Sequence, residues 1–150
     1  RNKNIAAIQS RLERPLVSVN TSIRAEANTL LGKSYLLSSK NDEAIKAFEK
    51  SISLGSKDPQ VRLLLSQAYI NQYFKNVKLS KRAEMISKST ALVEEAIALQ
   101  PKNITAYKQL YKLYLMQKDT TKLEQLGKKI ILSPSPKKPP WQNISVHSTT

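Results

Sequence analysis

Few side chains in this sequence have the types and spacing that chemistry requires. The one histidine, His147, lies close to the last residue, and the lack of cysteine excludes thiol nucleophiles, disulfides and thiolate metal sites. The adjacent carboxylates Asp42–Glu43 and Glu94–Glu95 would point about 100° apart on a helix, so neither pair can act on one group. We therefore predict no catalytic residue, no metal site and no cofactor, and we expect a protein that is not an enzyme.

The composition of the chain favours helices. Its 150 residues fit one domain, 40% of them are apolar, and there are only 3 glycines and 7 prolines. No run approaches about 18 consecutive apolar residues, so we expect no membrane span. Because the sequence begins with Arg1, we interpret it as an excerpt or a processed form. The compartment stays open: the cytoplasm is slightly favoured over the periplasm or a membrane-anchored protein.

The residues from Ala25 onward follow a helix–turn–helix spacing. Small side chains at Gly32 and Ala44 would let two antiparallel helices approach closely, with larger side chains filling the space between them. The positions that carry this spacing are Leu31, Gly32, Tyr35, Ala44 and Phe48. The segment resembles the 34-residue tetratricopeptide repeat, with Asn28 in place of the usual aromatic. The resemblance implies an all-α, right-handed solenoid of antiparallel helix pairs.

The same pattern restarts twice, which predicts repeats over about 25–58, 59–103 and 104–132. The second repeat contains about eleven extra residues, roughly Tyr73 to Ala83. We expect them to be divided between both helices, with Lys and Arg outward and the aromatics between the helices. The third repeat is degenerate, because Gly127 stands where an aromatic is expected.

Two flanking segments differ from the repeats. Residues 1–24 are predicted to hold one amphipathic helix, over 4–14, and a connector; this helix either caps the stack or belongs to a repeat further upstream. Residues 133–150 form a Pro-rich tail that we predict to be extended. Trp141 would anchor this tail if it folds back on the last helix, and the alternatives are a linear ligand for another protein or a plain linker.

The resemblance implies a concave groove lined by the first helix of each repeat. Its lining would come from the second, fifth, ninth and twelfth repeat positions, which include Thr29 and Leu63. The predicted partner-binding residues are Lys33, Leu36, Gln67, Ile70, Lys108 and Lys112. Such a groove suits an extended peptide or protein partner, and the lysines suit an acidic one. The alternative is that these are ordinary solvent-exposed helix residues.

The net charge of +14, from 25 Lys and Arg against 11 Asp and Glu, allows two interpretations. It reflects either lysines on solvated helix faces or a surface for nucleic acid or other acidic partners. The residues of the predicted basic docking surface are Lys75, Lys78, Lys81 and Arg82. We predict a protein–protein interaction scaffold that can also self-associate through its open ends. The alternative is a nucleic-acid or acidic-surface binder; membrane contact is expected only through a segment outside this chain.

Overall fold

The computed structural model describes residues 21–75 and 78–132, together with the single position 7. Within these ranges the chain is helical and contains no strand, which confirms the all-α fold. The six helices are α1 (Thr21–Leu37), α2 (Asn41–Ser53), α3 (Pro59–Lys75), α4 (Leu79–Leu99), α5 (Ile104–Gln117) and α6 (Thr120–Ile131). No helix in the described ranges has the length and apolarity to cross a bilayer.

The helices pack as three consecutive pairs. Short connections return the chain within each pair, so that α1 packs on α2, α3 on α4, and α5 on α6. Successive pairs then stack in chain order, through α2 on α3 and α4 on α5, as in a helical solenoid. Each of the three predicted repeats encloses one pair, although α1 begins before residue 25; the repeat boundaries themselves stay predictions.

The first and third pairs turn in the same way. A residue in the left-handed conformation follows the first helix: Ser39 has a φ of 58° and Lys118 a φ of 54°. The next amide then donates to the carbonyl of Tyr35 at 2.9 Å in the first pair, and of Tyr114 at 3.1 Å in the third. This six-to-one bond satisfies a carbonyl that the end of the helix would otherwise leave free.

The contact between Gly32 and Phe48 holds the first pair together. Phe48 is completely buried, and its ring fills the space beside Gly32, where a side chain would collide with it. In the second pair, Ser66 stands at the position of Gly32 and faces Ser89, which stands at the position of Ala44; both serines are fully buried. There the Ser89 hydroxyl donates to the Ser66 carbonyl at 3.1 Å, so the polar groups are satisfied while the helices stay close.

The third pair is packed more loosely than the other two. Tyr111 stands at the position of Gly32 and is half exposed. Gly127 stands at the position of Phe48, and a Cβ atom added to it would meet no atom within 4 Å. Within α6, Leu126 is the one fully buried side chain. Tyr111 and Gly127 therefore do not reproduce the contact between Gly32 and Phe48, and α5 and α6 pack less closely than the helices of the other two pairs.

The extra residues of the second repeat lengthen the two helices unequally. Relative to α1, measured from Ala25 and Pro59, α3 continues for about one more turn; relative to α2, measured from Leu54 and Leu99, α4 begins about two turns earlier. The expectation that the aromatics all lie between the helices is wrong. Tyr73 does pack against the core, but Phe74 is 69% exposed, because neither adjacent pair reaches that far along the hairpin.

The predicted N-terminal helix over 4–14 and the Pro-rich tail with its proposed anchor Trp141 lie outside the described residues. Both stay predictions from the sequence.

Candidate partner-binding surfaces

The predicted groove residues lie on α1, α3 and α5, which are neighbours in the stack. α1 packs on α3, and Gln109 of α5 reaches α3 directly. Its Nε2 donates to the Leu63 carbonyl at 3.1 Å and to Ser66 Oγ at 3.0 Å. The sequence did not reveal Gln109, because its partners are more than forty positions away and no repeat position requires an amide there. These bonds fix α5 beside α3, so side chains on the two helices form one surface.

The six groove residues divide into two groups by exposure. Gln67, Lys108 and Lys112 are exposed, and Lys33 is half-buried. The other two, Leu36 and Ile70, are half-buried and pack against the hydrophobic core. The surface is therefore polar and basic above two apolar side chains whose edges remain accessible.

Two residues expected in the groove belong to the core. Thr29 is 1% exposed, and its hydroxyl bonds with Ser51 Oγ at 2.8 Å and with the Ala25 carbonyl at 3.1 Å. Leu63 is also buried, within the cluster between α3, α4 and α5. The fifth position of these two repeats therefore supports the helix packing and is closed to a partner.

Acidic side chains are unequally distributed between the first and second helices of the pairs. The helices α1, α3 and α5 together contain one carboxylate, Glu26, and six Lys or Arg residues. Of these six, Arg62 is buried and bonded through Nε to Glu95 Oε2 at 3.0 Å, so it adds little to the surface. The second helices hold seven carboxylates against eight Lys or Arg. The positive potential is therefore concentrated on the first helices.

A tyrosine fixes each pair to the one before it. The Tyr69 hydroxyl on α3 donates to Glu49 on α2, and the Tyr114 hydroxyl on α5 donates to Glu94 on α4 at 3.1 Å. Burial, followed by the bond to Glu94, raises the pKa of Tyr114 to about 12; burial and Glu49 raise the pKa of Tyr69 as well. The donor and acceptor are twenty positions apart in both cases.

A lysine ammonium group lies over each of these tyrosine rings. The Nζ of Lys88 lies 5.5 Å from the ring centroid of Tyr69, and that of Lys122 lies 5.5 Å from the ring centroid of Tyr114. The repeated unit of glutamate, tyrosine and lysine joins three successive helices. It keeps the orientation of one pair relative to the next fixed, which in turn fixes the surface formed by the first helices.

The predicted basic docking surface lies at the turn between α3 and α4. Lys75, Lys78 and Lys81 are exposed, while the Arg82 guanidinium lies 5.4 Å from the ring centroid of Tyr73. The nearest acidic residue along α4 is Glu84, which is bonded to Lys88 at 2.8 Å; this bond lowers the Glu84 pKa. Asp42 and Glu43 at the start of α2 line one cleft with Lys75, so the excess of positive charge in this surface is carried by Lys78 and Lys81.

Two clefts open on other parts of the described chain. One, of about 280 Å³, lies between α4, α5 and α6; the other, of about 290 Å³, lies where Lys75 and Gln72 face the start of α2. The first is lined mainly by apolar groups such as Ile97 and Tyr107, with Lys122 and Lys129 beside them. In residues 21–75 and 78–132, no cluster of His, Asp or Glu has the arrangement of a metal site.

The fold is similar to that of a known protein, although no family model and no curated protein sequence matches this chain. Human IFIT1, solved as a dimer with PPP-AAAA, superposes with a TM-score of 0.64 at 18% identity, over 84% of this chain and 28% of IFIT1. The IFIT1 dimer with m7Gppp-AAAA gives a TM-score of 0.67 at 18% identity, over 85% and 29%. The chain spans under a third of the length of IFIT1, and the likeness shows the helical-solenoid fold.

Proposed function

We propose that the chain is a non-enzymatic binding scaffold that holds an extended acidic segment of a protein partner across α1, α3 and α5. The observation that carries this proposal is the charge distribution, since these three helices share a single carboxylate. An acidic segment lying over them would meet lysines on α1 and α5 and little repulsion.

The groove residues have separate roles in this proposal. Lys33, Lys108 and Lys112 would pair with carboxylates of the partner, and the Gln67 amide would bond to its backbone. Gln67 now donates to Asn71 Oδ1 at 2.9 Å on the same helix, and a bound backbone would replace that exposed contact. The accessible edges of Leu36 and Ile70 would receive apolar side chains of the partner, which would give the contact a component that salt does not screen.

A peptide-binding titration tests the proposal. Labelled peptides rich in Asp and Glu, with and without interspersed leucines, are titrated with the chain and followed by fluorescence anisotropy. We expect Lys108→Glu/Lys112→Glu to weaken binding by about tenfold or more, because two attractive charges become repulsive. The matched control is Lys46→Glu/Lys50→Glu on α2, which has the same spacing and exposure and the same change in charge. Equal losses of affinity in both variants would show that net charge alone causes the effect, which would contradict a specific groove.

Nucleic acid is the second candidate for the same surface. The specific observation in its favour is that the two similar structures contain IFIT1 with PPP-AAAA and with m7Gppp-AAAA. On this chain the exposed lysines of α5 would then contact phosphates. The two candidates differ in salt dependence: affinity for nucleic acid should fall linearly with the logarithm of salt concentration and steeply, whereas a peptide with apolar anchors should lose less.

A further inference from the structure

The turn between α3 and α4 projects further than the corresponding turns of the first and third pairs. The first and third pairs have shorter helices on either side of it, because both α3 and α4 continue beyond the corresponding ends of α1 and α2. The neighbouring pairs therefore leave Phe74 and Leu79 uncovered, whereas Lys75 lines a cleft with the start of α2. We call the residues Phe74, Lys75, Lys78, Leu79 and Lys81 the hairpin tip.

Two large apolar side chains of the hairpin tip are open to solvent. Phe74 is 69% exposed and Leu79 is 81% exposed, although they flank the same turn. Phe74 is held in place by Tyr73, whose ring lies edge-on to it with 5.2 Å between the centroids. Tyr73 in turn packs against the core and under the Arg82 guanidinium. These contacts hold the exposed Phe74 side chain in a fixed position at the end of the hairpin.

Positive charge surrounds these apolar side chains. Lys75, Lys78 and Lys81 are exposed on either side of them, and no acidic residue occurs in the sequence from Phe74 to Ala83. The first carboxylate on α4, Glu84, is already bonded to Lys88. Exposed Phe and Leu within a ring of lysines is the arrangement by which peripheral proteins bind anionic bilayers: the apolar groups enter the interface while the lysines meet lipid headgroups.

We propose that the hairpin tip docks the chain on an anionic membrane surface. A bilayer suits the tip better than a nucleic acid, because Leu79 has no flat face on which a base could stack. Phe74 and Leu79 also line neither of the two clefts, so the tip offers a projecting end rather than a groove for a polymer. From the sequence, we expected membrane contact only through a segment outside this chain. The exposure of Phe74 and Leu79 changes that interpretation.

Vesicle flotation with the full chain tests the proposal. Vesicles of phosphatidylcholine alone are compared with vesicles of phosphatidylcholine and phosphatidylserine at about 7:3, since the basic residues require anionic lipid. We expect binding to the anionic vesicles only. Phe74→Ser/Leu79→Ser should weaken it by about tenfold or more, since apolar insertion is lost. Lys75→Glu/Lys81→Glu should abolish it.

Two matched variants separate the tip from general properties of the chain. Ile104→Ser/Ile131→Ser removes two other apolar side chains, 70% and 82% exposed, at the opposite ends of the helices, and Lys46→Glu/Lys50→Glu makes the same charge change away from the tip. Both should bind anionic vesicles within about twofold of the unmodified chain, because neither faces the bilayer. Circular dichroism confirms that each variant is folded.

Three results would overturn the proposal. The first is that the unmodified chain does not bind anionic vesicles, and the second is that the tip variants and their matched variants lose binding equally. The third comes from a parallel titration with single-stranded oligo(U): if the tip variants lose affinity for RNA but keep vesicle binding, the tip is a nucleic-acid contact.

Discussion

Gly32 lies directly against the ring of Phe48: a Cβ atom on Gly32 would be 2.6 Å from Phe48 Cε1. The ring is completely buried, so it has no free space into which it can move. The absence of one methyl group on α1 thus permits the largest side chain in the core of the first pair.

We therefore expect Gly32→Ala to destabilise the chain, although alanine is the better helix former. Overpacking costs about 1–3 kcal/mol, and the gain in helix propensity recovers about 1 kcal/mol, which leaves a net loss of up to about 2 kcal/mol. Urea unfolding followed by circular dichroism measures it. Gly127→Ala is the matched control, because the added methyl group meets nothing; it should stabilise the chain by up to about 1 kcal/mol. A stabilised Gly32→Ala variant would show that the two helices can separate freely.

The bonds from tyrosine to glutamate predict a second effect on stability. Tyr114→Phe removes the hydroxyl that donates to Glu94 and keeps the ring, so the loss should be about 0.5–1.5 kcal/mol. Tyr69→Phe should cost a similar amount through Glu49. Tyr111→Phe is the control, since Tyr111 is half exposed, and should change stability by less than about 0.5 kcal/mol. If all three variants unfold at the same urea concentration as the unmodified chain, the hydroxyl bonds contribute nothing.

The raised pKa of Tyr114 predicts that stability falls in strong base. Its value is about 12 in the folded chain against 10.0 for the free side chain. A group whose pKa is raised on folding stabilises the folded state below the unfolded pKa, and this contribution is lost as pH rises through the folded pKa. Stability should therefore decline between about pH 10 and pH 12. Tyr114→Phe should decline less steeply than the unmodified chain in the same range, as measured by urea unfolding at each pH.

Arg62 predicts an unequal outcome for the two partners of one ion pair. Arg62 is 7% exposed, and its Nη1 also donates to the Ser56 carbonyl at 2.9 Å, which ties the start of α3 to the connection before it. Arg62→Ala should cost about 2–3 kcal/mol, because a charged donor is lost and a carbonyl is left without its partner. Glu95→Gln should cost less than about 1 kcal/mol, since the Glu95 side chain is 55% exposed. Thermal unfolding of both variants measures the two losses of stability. Equal losses would show that Arg62 stabilises the chain through its ion pair with Glu95.

The sequence was sufficient to predict the features of the structure that steric requirements decide. The spacing of Gly32, Tyr35 and Phe48 predicts helix pairs because small and large side chains must face each other at fixed positions. The helical-solenoid fold was implied by the resemblance of this spacing to the tetratricopeptide repeat. The loose third pair could also be anticipated, because Gly127 cannot fill the space that an aromatic fills elsewhere.

Interactions between residues that are distant in the sequence could not be predicted from it. Thr29 was expected in the groove because it occupies the fifth position of its repeat, but the structure supplies Ser51 and a backbone carbonyl as partners, which makes burial possible. Leu79 shows a second limit: the sequence identifies an apolar residue within the insertion but not whether it is covered, and in the structure its side chain is 81% exposed. Periodicity locates an apolar side chain along a helix, but the length of the adjacent helix decides whether it is covered.

The loose packing of α5 on α6 has a consequence for how the chain opens. A solenoid is stabilised by contacts between neighbouring units, so a loosely packed unit can unfold while the others remain intact. Leu126 is the one fully buried side chain of α6, whereas α4 contributes seven buried residues. Amide hydrogens of α6 should therefore exchange with solvent well before those of α4, and unfolding should begin in the third pair.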